Sequence, residues 1–108
     1  MRQHLALLTL LAILISAPAF AQDKDYVLVL KDHQFSPKDL VLPANQKVKL
    51  IVKNEQTAPA EFESSDLDRE KVVEANSEIT VMLGPLDAGA YNYFDDFHRE
   101  TTGTLTVK

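Results

Sequence analysis

Apolar and polar residues alternate strictly in three separate stretches, KVKLIVK at 47–53, SEITVML at 77–83 and GTLTV at 103–107. A two-residue period sends one side of a segment to a core and the other to water, the pattern of a half-buried β-strand rather than of a helix. DYVLVLK at 25–31 has a continuous apolar centre suited to a strand covered on both faces, and DLVLP at 39–43 reads as a short strand. Turn-forming residues separate these runs: Ser36-Pro37, Pro43-Ala44-Asn45, Asn54 onward, Gly84-Pro85 and Asp87-Ala88-Gly89. SSDLDREKVVEA at 64–75 interrupts the rhythm. Ser65 stands there as an N-cap with Asp68 three positions on and charged helix formers behind it, so one short helical turn is expected. About seven short strands at regular spacing point to an all-β fold, an antiparallel β-sandwich with Greek-key connections. No internal repeat or low-complexity tract divides it.

Arg2 precedes the apolar run LALLTLLAILI, which closes in Ala19-Phe20-Ala21. That is the layout of an export signal, with cleavage expected after Ala21; a bilayer span would need about 20 apolar residues. Residues 1–21 are therefore expected to be a signal peptide and 22–108 a single exported domain with one core. Losing Arg2 takes the formal net charge from −5 to −6, so the acidic character belongs to the folded part and disfavours nucleic acid as a partner. The chain has no cysteine, which excludes disulfides, thiol catalysis and thiolate-bound metal. No G-x-S-x-G elbow is present, and Ser64-Ser65 has no base partner in its own segment, which argues against a hydrolase.

Three stretches place metal-capable side chains beside aromatics. KDHQFSP holds Asp32, His33 and Phe35. APAEFES sets Glu61 and Glu63 on one strand face with Phe62 on the other. YNYFDDFHRET puts Asp95 and His98 three residues apart at a strand end, between Phe94 and Phe97. Both histidines beyond the signal lie in these stretches. Carboxylate oxygens with imidazole nitrogens suit Cu(II), Fe(II), Fe(III) or Mn(II) and disfavour Cu(I), which prefers sulfur. Asp32, His33, Glu61, Glu63, Asp95 and His98 are the donors these stretches offer such an ion, with Phe35, Phe62 and Phe97 beside them. Asp96 points away from Asp95 if the strand pleat continues.

These stretches give the chain a resemblance to the cupredoxins, small copper-binding β-sandwiches. FSPKDLVLPANQKVKLIVKN is similar to the stretch in which F-x-P leads through a V-x-A-G turn to a strand ending in Asn. GAYNYFDDFHRETTGTLTV is similar to G-x-Y-x-F-x-C-x-x-H followed by a G-x-L-x-V closing strand. The resemblance implies a cupredoxin-like Greek-key sandwich. It also shows departures: the cysteine position falls on Asp95, the first histidine position on Glu61, and no methionine follows His98, which leaves no His2Cys blue-copper centre.

KDHQFSP, EFES, LDREKV, GPL and FHRET together resemble, more narrowly, the cupredoxin-like periplasmic components of bacterial ferrous-iron uptake systems that work with a ferroxidase-coupled iron permease. That resemblance implies iron transport, Fe(II) oxidation or electron transfer before uptake, and as partners the inner-membrane iron permease and other periplasmic iron-uptake components. With it, Glu61, Asp95 and His98 are expected to ligate a copper or iron ion directly, with Glu63, His33 and Glu100 as further ligands or a second site and Phe35, Phe62 and Phe97 packed around it. A metal carrier without redox role, or a metal-free adaptor docking on the permease, are the alternatives.

Overall fold

The structure, a computed structural model, describes residues 24–108, so the expected signal segment lies outside the described residues. The strands are β1 (Asp25–Lys31), β2 (Gln34–Ser36), β3 (Asp39–Leu42), β4 (Val48–Asn54), β5 (Ala60–Ser64), β6 (Arg69–Val73), β7 (Ser77–Leu83), β8 (Gly89–Asp95) and β9 (His98–Val107). They make two sheets, ordered β2-β1-β4-β7 and β3-β9-β8-β5-β6. The alternation seen in the sequence decides which side chains meet between them. Leu28 and Leu30 of β1, Leu50 and Val52 of β4 and Leu83 of β7 face Leu42, Phe62, Tyr93, Leu105 and Val107 from the other sheet, all buried. Full burial of one such side chain stabilises the fold by about 1.5–3 kcal/mol. The Tyr93 ring lies at the centre, edge-on to Phe35 at 4.9 Å and tilted against Phe62 at 5.4 Å.

Two details differ from the expectation of an antiparallel sandwich with about seven strands. β1 runs parallel to β4 and β3 parallel to β9, because the chain crosses to the other sheet and back before each later strand pairs beside the earlier one. The expected helical turn at 64–75 is instead a tight turn over 65–68 followed by strand β6. Ser64, not Ser65, serves the turn: its hydroxyl accepts from Leu67 N at 3.1 Å and donates to Asn92 O at 2.6 Å. Asp68 then adopts φ 53°, a left-handed conformation that stops helix propagation. The charged residues behind it belong to an edge strand exposed at four of its five positions, where charge discourages pairing with other chains.

The turn joining β1 to β2, the segment 55–59 after β4, and the turn joining β8 to β9 come together at one end of the sandwich. All of the described candidate ligands lie on these turns or on the strands that enter them.

Candidate metal centre

Asp95 is the last residue of β8, and its register partner on β5 is Phe62, so both point into the sandwich. Its side chain is 0% exposed. A buried carboxylate is costly unless its oxygens are bonded, and one of them is. Oδ1 accepts from the main-chain N–H of Glu61 and of Phe97, each at 3.0 Å. Two fixed donors hold the carboxylate in place. Among the described residues Oδ2 has no hydrogen-bond partner and faces His98 Nδ1, which also has none, at 3.7 Å. That distance is too long for a hydrogen bond. Two metal–ligand bonds of about 2.0–2.2 Å each can span it. The His98 side chain is 40% exposed, so the pair is reached from solvent on one side.

His33 occupies the turn between β1 and β2, and its ring lies 4.3 Å from that of His98 at an interplanar angle of 40°. The turn geometry brings an imidazole from the start of the domain onto one from its end. Phe35 and Phe62 are core residues beneath this group, whereas Phe97 is 48% exposed beside it.

Glu61 and Glu63 lie on the opposite face of β5 from Phe62, as the pleat requires. Glu61 therefore reaches Asp95 through its main chain, while its carboxylate belongs to a second group. Glu63 is cross-strand from Glu70 of β6, and carboxylate oxygens of Glu61, Glu63 and Glu70 lie within 4.8 Å of one another. Asp96 joins them: its N–H donates to Glu61 O at 2.9 Å, and Arg99 Nη2 lies 2.9 Å from its Oδ1. Crowding of like charges is visible in the acidities. A hydrogen bond to Glu70, then burial, then the charges of Glu70, Asp96 and Glu63 push the Glu61 carboxyl up to about 6. Burial foremost, followed by the charges of Asp96 and Glu70, raises that of Glu63, and Arg99 partly offsets the effect.

The residues singled out in the sequence thus divide. Asp95, His98 and His33 come together; Glu61 and Glu63 form the second group. Glu100 is exposed and lines an open groove of about 370 Å³ with His33, Phe35, Lys38 and Thr101. Glu70 was not among the expected ligands. Its signal was present in the sequence as a hairpin: once 60–64 and 69–73 are paired about the turn, Glu63 falls opposite Glu70.

The donors fit a hard or borderline transition ion and not a blue-copper centre. No cysteine exists, and Met82, on the outer edge strand β7, is 56% exposed. Among solved structures, the chain is similar to a reduced amicyanin mutant (15% identity, TM-score 0.67, covering 80% of this chain and 84% of that one). It is also similar to amicyanin from Paracoccus versutus (15%, TM-score 0.64, 86% of each chain). A third is a purple cupredoxin from Nitrosopumilus maritimus (18%, TM-score 0.62, 78% of this chain and 100% of that one). These similarities establish the fold. An uncharacterised protein of Rickettsia prowazekii (strain Madrid E) is 42% identical over 74 residues, 68% of this chain. The match spans 59% of that relative's length. Residues 4–107 match the cupredoxin-like domain family, and with the nine-stranded sandwich this shows that the chain belongs to that family.

Proposed function

We propose that this is a periplasmic metal-binding protein of an iron transport system, in which Asp95, His98 and His33 hold a copper or iron ion and support Fe(II) oxidation or electron transfer before permease uptake. One observation carries the reading: a fully buried carboxylate with one oxygen anchored by two N–H groups and the other, unpartnered, facing an unpartnered imidazole nitrogen. Asp95 contributes negative charge in a site shielded from water, where Coulomb attraction is strengthened. His98 contributes a nitrogen at the solvent boundary and His33 a second ring against it. Bound copper or iron supplies one-electron chemistry. An oxygen and nitrogen donor set with a buried anion favours the more highly charged state of the ion, Fe(III) over Fe(II) and Cu(II) over Cu(I).

Export by the 1–21 segment is supported by its signal-like layout, and work alongside an inner-membrane iron permease by the sequence resemblance. Glu61 and Glu63, together with Glu70 and Asp96, add a second anionic surface that draws cations to this end of the domain, and Glu100 adds an acid at the mouth of the His33 groove. That second surface favours an alternative in which the protein carries the ion without oxidising it.

The test is titration of the purified metal-free protein with Cu(II), and anaerobically with Fe(II), read by elemental analysis and electron paramagnetic resonance. One tightly held ion with nitrogen hyperfine coupling is expected, weakened at least about tenfold by Asp95→Asn and by His98→Ala. Variants that bind as the wild type does would refute the site. Bound Fe(II) that stays reduced in air would favour the carrier. Genetic loss of the protein should lower iron uptake through the permease; unchanged uptake would remove it from that pathway.

A further inference from the structure

We infer that Gln56 and Thr101 are positioning residues for this metal centre, gripping the main chain of His33 from both sides and so fixing its imidazole against that of His98. The inference rests on the metal-site reading proposed above. Lys31 and Gln34 are register partners, leaving only Asp32 and His33 between the strands, with φ 50° and 56°. Two successive left-handed residues make the mirror-image hairpin turn whose second position favours glycine. Here that position holds a histidine, which adopts the conformation at a steric cost. Such a residue persists where its surroundings over-determine it.

The surroundings do so from two distant parts of the chain. His33 N–H donates to Gln56 Oε1 at 2.8 Å, and Thr101 Oγ1 donates to His33 O at 2.8 Å. Each holder is itself held. Gln56 N–H donates to Asn54 Oδ1 at 3.0 Å, and Gln56 O accepts from Asn76 N at 3.0 Å. Asn54 is buried and donates through Nδ2 to Ala58 O, Val73 O and Glu74 O at 2.9–3.2 Å. Thr101 is buried at the bulged start of β9, three residues beyond His98. The same strand segment thus supplies one imidazole and anchors the other. Neither hydrogen bond touches the ring of His33, so their effect on a bound ion must pass through where the turn places that ring.

The experiment uses the full-length protein with Cu(II) alone as probe, in Gln56→Ala, Thr101→Val, the conservative Thr101→Ser, and His33→Ala. Gln56→Ala and Thr101→Val should each weaken Cu(II) binding about tenfold and alter the nitrogen hyperfine pattern, with Thr101→Ser matching the wild type in both. In the metal-free protein, nuclear magnetic resonance should show the His98 ring protons losing the shift imposed by the His33 ring. Added to His33→Ala, neither change should weaken binding further, because the residue through which they act is gone. Wild-type affinity in Gln56→Ala overturns the inference alone. Undiminished weakening in the His33→Ala background also overturns it. A wild-type protein that binds no Cu(II), or Asp95→Asn and His98→Ala proteins that bind normally, overturn the metal-site reading and the inference with it.

Discussion

The main-chain N–H of Glu61 donates to the carboxylate of Asp95 at 3.0 Å, so β5 secures the buried acid through its backbone while sending its own carboxylates to the other side of the sheet. Structural and chemical roles of Asp95 are therefore separable. Asp95→Ala leaves the partly buried N–H groups of Glu61 and Phe97 without their acceptor, each at about 1–3 kcal/mol. A loss of about 2–4 kcal/mol in urea unfolding is expected. Asp95→Asn keeps an acceptor oxygen and should retain most of the stability while binding Cu(II) poorly; equal destabilisation by the two changes would contradict this division.

Asn54 is the hinge between β4 and the segment that reaches His33, and its amide serves three carbonyls at once. Asn54→Ala should cost about 2–3 kcal/mol, since it strands buried acceptors. Asn54→Asp should cost more, because it turns an acceptor oxygen toward those same carbonyls. Thermal melts of the two variants rank them.

A side chain at position 103 has no room. A Cβ there overlaps the ring and hydroxyl of Tyr93, which is wedged between Phe35 and Phe62. Gly103→Ala should destabilise by at least about 1–3 kcal/mol, as overpacking of a filled core does, and Gly103→Ala combined with Tyr93→Leu should recover part of it. Calorimetry of the single and double variants decides.

The weakened acidity of Glu61 carries a pH dependence with a definite sign. Its carboxyl titrates at about 6 in the folded protein against an ordinary 4.5. The native state then holds a proton that the unfolded chain releases, so this contribution is complete below about 4.5 and is lost as pH rises through about 6. In the presence of chelator, the urea midpoint of the wild type should fall over that interval relative to Glu61→Gln. Parallel profiles for the two proteins would show that the carboxylates of Glu61, Glu63 and Glu70 do not interact.

The strands that bury one face were legible from sequence because water enforces their period: β4, β7 and the end of β9 stand where the alternation put them. β6 was not, since an exposed edge strand has no buried face to imprint a pattern, and its charges resemble those of a helix surface. β2 has three residues, fewer than any period needs. At the candidate centre, the spacing of Asp95 and His98 was informative because a tight turn joins them directly. The placement of Glu61 was not, because whether a strand residue contributes its backbone or its side chain depends on a neighbour 34 positions away. The partnership of His33 with Thr101 spans 68 positions and leaves no local trace.

That long-range bond has a topological meaning. An ion held by both imidazoles would act as a clasp across nearly the whole domain, joining its first hairpin to its last strand. Its protection against amide hydrogen exchange should then reach β1 and β9 together, even though only their ends approach the ligands.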